Sequence, residues 1–549
     1  MNVAEAAGRA VAELAAAGPG VPRAFGVVGS GNFHVTNALV RHGVPFVAAR
    51  HEGGAITMAD AYARLSGTVG LVTVHQGPGL TNALTGLAEA AKSRTPLLVL
   101  AGEATSPASN FHIDQDALAT AVGARAERVR SAETALADVT RAFHAAAEGR
   151  TVLLNLPLPV QEAELREYRR PEPPPAREPA EPPHDRVLEL AELLAAARRP
   201  VFVAGRGARG ARAPLEALAG HAGALLATSA VAKGLFRGDP WDLDVSGGFA
   251  SPLAAELIAD ADLIVGWGCA LNMWTMRHGR LIGPEAAVVQ VDHDPAAIGA
   301  HRPVDLGVAG DVAAVARAVA DALGRAVPAR EGYRTPEVAA RIARRGRWRD
   351  EPYRDESGGG RIDPRTLTIR LDDLLPAERV VAVDSGNFMG HPSMFLSVPD
   401  ENGFCFTQAF QSVGLGLATA IGAALAQPHR LPVAALGDGG AFMAAAELET
   451  VVRLGLPMLI VVYDDEAYGA EVHHFGPDGH PLDLVRFPPA DLAAIGRGFG
   501  CAAVTVREAA DLSAVADWLA GPRDRPMLVD AKVTREHGSW WLEEAFRGH

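Results

Sequence analysis

Cysteine is scarce. The 549 residues hold three, Cys269, Cys405 and Cys501, too far apart to frame a disulfide-stapled fold or a cysteine metal cluster. They read as small buried hydrophobes. Positive charge is also short: 51 Lys and Arg stand against 65 Asp and Glu, a net charge of −14. No basic patch or arginine stripe interrupts that balance, which argues against a nucleic acid partner. No uncharged apolar stretch is long enough to cross a bilayer, so no membrane is expected. The opening Met1-Asn2-Val3-Ala4-Glu5 reads as the start of an amphipathic helix, not as a basic segment leading into an apolar one. A cytoplasmic location is therefore expected.

Apolar residues, in contrast, make up 48% of the chain, enough for several cores, and the length suggests three domains. Up to about residue 160, short apolar strands alternate with helical patterns, the signature of a parallel α/β sheet. Arg169 to Arg186 is rich in proline and charge, including Pro173-Pro174-Pro175, and reads as an extended linker. A second α/β unit opens at Pro200-Val201-Phe202-Val203-Ala204-Gly205. It continues through Leu263-Ile264-Val265-Gly266 and Val288-Val289-Gln290-Val291-Asp292. The charged stretch from Ala329 to Gly360 is a second connection, partly helical. A third unit runs from Arg361 to about Lys532.

The chemistry concentrates at two strand ends of that third unit. Gly437-Asp438-Gly439-Gly440 follows the apolar Val433-Ala434-Ala435-Leu436, and Asp464-Asp465 closes Leu459-Ile460-Val461-Val462-Tyr463. An acid at each of two strand ends can bring two hard oxygen ligands to one cation. Mg²⁺ suits such a site, because it takes few protein carboxylates and completes its shell with phosphate oxygens. Gly439 and Gly440 leave backbone N–H groups free to approach a phosphate, and a helix beginning near Ala441 would point its positive end there. A metal-bridged diphosphate is one reading; an ordinary strand–turn–helix with surface acids is the other.

The tripeptide, the spacing and the ending Asp464-Asp465-Glu466-Ala467-Tyr468-Gly469 resemble the cofactor signature of thiamine diphosphate (ThDP) enzymes, nearest to the group of acetolactate synthase, benzoylformate decarboxylase and pyruvate decarboxylase. The resemblance implies that Asp438 and Asp465 give side-chain oxygens to Mg²⁺ and Ala467 its carbonyl. Gly437, Gly439, Gly440 and Tyr468 would lie against the cofactor. Most relatives carry Asn where Asp465 stands, so this chain adds a negative charge beside the diphosphate. A second motif, Arg50-His51-Glu52-Gly53-Gly54-Ala55, falls where the family keeps one glutamate on the aminopyrimidine ring, and that role passes to Glu52. A carboxyl group in an apolar pocket can share a proton with a ring nitrogen. A helix is expected from Ala55 to Leu65. A third motif, His75-Gln76-Gly77-Pro78-Gly79-Leu80-Thr81-Asn82, matches the family turn Gly-Pro-Gly-x-Thr-Asn. His75 falls where benzoylformate decarboxylase-like members carry an active-site histidine, and a histidine can move protons at neutral pH.

Further residues follow from matching positions. Gly386 and Asn387 of Asp384-Ser385-Gly386-Asn387 would anchor the diphosphate. Val413 would stand as the apolar wedge beneath the two cofactor rings, and the Gln411 carbonyl would accept from the exocyclic amine. Glu471 lies where pyruvate decarboxylase-like members carry a catalytic glutamate; on a helix, His474 and Phe475 would share its face. Asn32, His34, Gln76 and Gln115 are candidate substrate contacts, with Gln115 or His112 reaching the other subunit's site. Trp540-Trp541 would form a lid, or cover a core or interface.

The resemblance spans nearly the whole chain and implies an α/β fold of three doubly wound parallel-sheet domains: pyrimidine-binding (1–165), central (186–328) and diphosphate-binding (361–540). It implies a homodimer or homotetramer with active sites between subunits. Acetolactate synthases hold FAD in the central domain, and Gly205-Arg206-Gly207-Ala208 resembles their segment. Their Arg-Phe-Asp-Asp stretch is replaced here by Cys269-Ala270-Leu271-Asn272-Met273-Trp274, so a central domain without FAD is expected. The implied reaction is ThDP- and Mg²⁺-dependent decarboxylation of a 2-oxo acid with carboligation to a 2-hydroxy ketone. Simple decarboxylation or aldehyde lysis is the alternative. A catalytically silent ThDP-binding subunit is a third reading, opposed by the retained Glu52, Asp438 and Gly77-Pro78-Gly79.

Overall fold

The computed structural model describes residues 1–175 and 180–542. Its described residues build three six-stranded sheets in which every strand pairing is parallel. The first contains Ala24–Gly26, Phe46–Ala48, Gly70–Val74, Leu97–Glu103, Arg125–Arg128 and Thr151–Pro157. The second contains Pro200–Ala204, Leu225–Thr228, Asp242–Val245, Leu263–Trp267, Ala287–Asp292 and Leu306–Ala309. The third contains Arg379–Val383, Phe404–Phe406, Leu431–Gly437, Leu459–Asp464, Ala502–Val506 and Met527–Lys532. Runs such as Val380-Val381-Ala382-Val383 are apolar at every position because helices cover both sheet faces, so no alternation survives.

Counting strands in chain order, the first and third sheets both run 2-1-3-4-6-5, whereas the second runs 3-2-1-4-5-6. Each order reverses direction between its first strand and the neighbour on the other side (strand 3 in the first and third sheets, strand 4 in the second), and ligands of such sheets lie outside the carboxyl ends of the strands flanking that reversal. In the third sheet those strands lead into Asp384-Ser385-Gly386 and Gly437-Asp438. In the first they lead toward Gly29–Asn32 and into His75-Gln76-Gly77. In the second they lead into Gly205-Arg206-Gly207 and Gly268-Cys269.

The first and third domains share one apolar core. Ile56 and Met58 of the helix Glu52–Ser66, Leu80 and Leu87 of the helix Pro78–Lys92, and Leu417 and Ile421 of the helix Gly416–Ala426 belong to it. Burying each such side chain contributes roughly 1.5–3 kcal/mol. Helices 52–66 and 416–426 approach so closely that a Cβ at Gly422 would sit 2.2 Å from the Met58 carbonyl oxygen. Small residues along Gly416-Leu417-Ala418-Thr419-Ala420-Ile421-Gly422-Ala423 permit that contact. The central domain has two cores of its own, one on each side of its sheet.

Several local expectations shift. The Glu52 helix begins at Glu52 itself rather than at Ala55, with the His51 ring as its N-cap. The helix after the glycines begins at Asp438, not near Ala441. Residues 176–179 of the proline-rich linker lie outside the described residues, and a helix starts at its end, His184–Ala196. Within the second connection a helix spans Pro336–Arg345. All three cysteines are buried. Among the described residues no helix is long and apolar enough to cross a membrane.

Candidate functional site

A cleft of about 980 Å³ opens at the carboxyl ends of the third sheet and continues to those of the second. Asp438 and Asp465 both line it, as do Gly386, Asn387, Gln411, Val413, Gly437, Gly439, Gly440, Ala467, Tyr468 and Glu471. The third sheet thus gathers one whole group of the sequence candidates. Asp438 is the first residue of its helix and Asp465 follows the strand Leu459–Asp464.

Both acids are buried, and among the described residues no lysine or arginine pairs with either. Burial, then the neighbouring Asp465 and Asp464, pushes the Asp438 carboxyl up to about 8. Burial and Asp464 push Asp465 up to about 7. Two desolvated carboxylates without a counter-charge favour a cation between them. No group of three or more His, Cys, Asp or Glu side chains among the described residues converges as a cage. The donor set therefore fits a cation that brings further oxygens with it, as a diphosphate does.

The backbone around the pair is tightly held. Glu466, between Asp465 and Ala467, adopts φ 57° and is gripped by Arg361 at 2.5 Å and Arg535 at 2.8 Å. Left-handed backbone at a non-glycine residue persists only where its surroundings enforce it. A Cβ at Gly440 would sit 2.1 Å from Asp384 Oδ2, and one at Gly439 2.7 Å from the Tyr468 ring. The missing side chains leave the concavity open. Asp384 itself is fully buried and accepts from the N–H groups of Ser385 (2.8 Å) and Gly414 (3.0 Å), fixing the loop that carries Val413. Burial raises its carboxyl to about 6. The Asn387 side-chain carbonyl accepts from Ser539 N at 2.9 Å, and its main-chain carbonyl from Trp541 Nε1 at 2.9 Å. Trp541 is buried beside the cleft, and Trp540 packs on Trp348, so the tandem tryptophans close this end of the third domain.

The first sheet gathers the remaining candidates, and they do not line this cleft. Glu52, half-buried, accepts from Asn82 Nδ2 at 3.0 Å. His75 Nδ1 accepts from the Gly31 N–H at 3.1 Å, which places the proton of the neutral ring on Nε2. Burial lowers the His75 pKa, opposed by the nearby Glu52 charge, and Phe111 packs edge-on at 5.3 Å. Gln76 is buried, and its Oε1 has no hydrogen-bond partner among the described residues.

Other candidates have structural tasks. Asn32 is fully buried: its Oδ1 accepts from Gly29 N, and its Nδ2 donates to the Val27 carbonyl and to Thr73 Oγ1. Its amide is occupied in shaping the loop, leaving nothing to donate to a substrate. Gln115 is buried, donates to Asn155 Oδ1 at 2.7 Å and accepts from the Gly77 N–H at 3.4 Å. It braces the Gly77 turn within its own domain, and Gly77 adopts φ 66° there. His34 is exposed beside Phe33, and His112 is exposed on its loop. Of the helix Gly469–Phe475, Glu471 lines the cleft, whereas His474 packs against Phe475 at 4.6 Å away from it.

Sequence reasoning gave no role to Asp384 or Gln408, both at or beside the cleft. Gln408 lines it with both amide atoms buried and unpartnered among the described residues. A polar residue directly after the strand-like Phe404-Cys405-Phe406-Thr407 was its available signal.

Comparison with known proteins agrees with this geometry. Residues 5–122 match the thiamine pyrophosphate enzyme N-terminal TPP binding domain, 187–319 the central domain and 384–531 the C-terminal TPP binding domain. A Pseudomonas aeruginosa protein named "Probable 2-ketoarginine decarboxylase AruI" is 30% identical over 524 residues, covering 92% of this chain and 90% of its own. The acetolactate synthase large subunit of Parasynechococcus marenigrum is 28% identical, covering 94% and 86%. The sulfoacetaldehyde acetyltransferase of Alcaligenes xylosoxydans xylosoxydans is 28% identical, covering 82% and 80%. With all three domains matched in order along the chain, and a relative 30% identical over 92% of it, the chain belongs to the thiamine diphosphate-dependent enzyme family.

Proposed function

We propose that the chain catalyses ThDP- and Mg²⁺-dependent decarboxylation of a 2-oxo acid and joins the retained fragment to a second carbonyl compound, giving a 2-hydroxy ketone. The observation that carries the reading is the buried, uncompensated pair Asp438 and Asp465 on a cleft that continues past them to the central sheet. Asp438, Asp465 and the Ala467 carbonyl would hold Mg²⁺, while Gly386, Asn387, Gly439 and Gly440 would approach the diphosphate. Tyr468 and Gly437 would flank it. Val413 and the Gln411 carbonyl would support the rings. When bound, ThDP supplies the electron sink that decarboxylation needs. Glu52 would hold the proton at the pyrimidine nitrogen. His75 would offer its Nε2 proton to a developing alkoxide, and Glu471 would serve the cleft from the other side. The stretch of cleft toward Trp274 leaves room for an acceptor.

Simple decarboxylation is the second reading, favoured by the His75 Nε2–H, which could protonate the retained fragment. Incubation with ThDP, Mg²⁺ and a panel of 2-oxo acids, with and without acceptor aldehydes, separates the two. A new 2-hydroxy ketone supports carboligation. Aldehyde alone sinks it.

Glu52 and His75 lie off the cleft that Asp438 lines, and apolar side chains stand exposed beside each group: Phe33 and Phe111 at one, Phe410 and Phe442 at the other. A second copy that brings one group onto the other would complete the site, making the active form a homodimer or a homotetramer. Mixing inactive Glu52→Gln and Asp438→Ala variants should then restore turnover, and silence of the mixture would refute it. The central domain is taken to lack flavin. Arg206 donates to the Ser93 carbonyl, and Arg209 to the carbonyls of Arg64 and Val231, so part of each guanidinium is committed to the protein itself. A flavin spectrum in purified protein would overturn that.

A further inference from the structure

Two glutamates outside the cleft are almost wholly buried: Glu447 at 3% exposure and Glu89 at 1%. Glu447 belongs to the third domain, nine residues after Asp438, yet it reaches the first. Its Oε1 accepts from the N–H groups of Arg50 (3.0 Å) and His51 (3.1 Å), and its Oε2 from Thr450 Oγ1 (2.6 Å). Those two amides form the turn that delivers Glu52 to the first position of its helix. The fit is close: a Cβ at Gly54 would sit 2.3 Å from Glu447 Oε1.

Glu89 is its mirror. It belongs to the first domain, near the end of the helix that begins just after Gly77, and it reaches the third. It accepts from the N–H groups of Ala409 (3.1 Å) and Phe410 (2.6 Å), the two residues before Gln411. Arg64 at 2.9 Å and the Ser93 hydroxyl at 3.1 Å complete its shell. Burial opposes its charge, but Arg64 and the two amides outweigh burial and hold its carboxyl below the usual range. Gln411, immediately downstream, adopts φ 61°, a conformation that a loose loop would relax.

Each domain therefore grips two successive amides of the other with one buried carboxylate. Removing such an acceptor takes from two successive N–H groups the carboxylate that holds them and frees the segment they belong to. We propose that Glu447 and Glu89 are reciprocal positioning residues for the cofactor: Glu447 aims Glu52 from the third domain, and Glu89 sets the Gln411–Val413 loop from the first. The proposal rests on the reading of Glu52, Gln411 and Val413 as ThDP contacts. It assigns the two residues different consequences. Glu447 governs the proton at the pyrimidine, whereas Glu89 governs how firmly the rings are seated.

The test uses the full-length protein with ThDP and Mg²⁺ and needs no substrate. Tryptophan fluorescence gives the ThDP Kd, and exchange of the bound thiazolium proton with deuterium oxide reports the action of Glu52. Glu447→Ala should slow exchange about tenfold or more while changing Kd by less than about threefold, since a small misplacement of a catalytic group is felt mainly in rate. Glu447→Gln should recover most of the exchange rate, because its Oε1 still accepts both amides. Glu89→Ala should weaken ThDP about tenfold and slow exchange of the cofactor that does bind far less. Where an alanine variant does not fold, Glu447→Asp and Glu89→Asp retract the carboxylate by one methylene and read the same quantities. Normal exchange and normal Kd in folded variants would reduce both residues to ties between domains and overturn the proposal. Glu52→Gln is the control. If it leaves exchange unchanged, the Glu52 reading itself fails; if it slows exchange and the Glu447 variants do not, only the brace fails.

Discussion

The first and third sheets have the same strand order, and their reversals fall at the same strands, yet the ends of those strands carry opposite chemistry. At the third sheet stand two buried acids without counter-charge among the described residues, a strained turn and the glycines Gly386, Gly437, Gly439 and Gly440. At the first stand a half-buried glutamate, a histidine whose tautomer is fixed by the Gly31 amide, and an amide-rich loop. Topology places a site; the residues at the strand ends decide whether it takes a charged or a neutral ligand group. By that contrast the third domain would hold the diphosphate end of the cofactor, and the first would do proton chemistry on its ring.

That division can be broken most forcefully at Glu52. Glu52→Gln should lower kcat about 10²–10⁴-fold, the usual worth of a positioned acid or base, with the ThDP Kd nearly unchanged. A large loss of affinity would mean that the first half binds rather than acts. Asp438→Ala should do the reverse. Titration with ThDP and Mg²⁺ should show affinity weakened by about a hundredfold, roughly 2.7 kcal/mol, and turnover should return in part at high cofactor concentration. Equal effects of both variants on affinity would erase the division.

A smaller effect probes what joins the halves. Gly422→Ala should cost about 1–3 kcal/mol, read as a lowered Tm, because its Cβ meets the Met58 carbonyl at 2.2 Å. An unchanged Tm would mean that helices 52–66 and 416–426 can part without cost. The smallest effect concerns the neutral half. Burial lowers the His75 pKa in the folded state, so the unfolded chain, with an ordinary value of about 6.5, binds more protons below that pH. Stability should fall as pH drops through about 6.5. His75→Gln, which can still accept from Gly31, should lose less Tm than the parent between pH 7.5 and 5.5. An equal loss in both would show that His75 does not contribute to the acid sensitivity.

Much of the third half was legible because its parts are contiguous. Gly437-Asp438-Gly439 and Asp464-Asp465 each sit on one strand–turn unit, and strand ends can be read from local apolar runs. Asn32 and Gln115 look equally polar and loop-borne in sequence. Their partners, Thr73 and Asn155, lie 41 and 40 residues away, so their structural use was hidden. Glu447 and Glu89 show the same limit more strongly. Their amide partners lie 397 and 320 residues off in sequence. The one local hint was a single acid within an apolar helix, as in Leu87-Ala88-Glu89-Ala90-Ala91, where burial demands a partner. The fold class was readable from alternating strands and helices, but the core common to the first and third domains required knowing which helices meet.

That common core also orders events in time. The first domain leaves the ribosome with the helix Glu52–Ser66 made, but its covering helix Gly416–Ala426 begins about 250 residues after that domain ends near residue 165. At ordinary synthesis rates of about 5–20 residues per second, the apolar flank of the nascent domain stays bare for roughly 10–50 s. Escape from aggregation during that interval depends on how fast translation proceeds and on what shields the flank meanwhile, even though the finished molecule leaves no trace of the exposure.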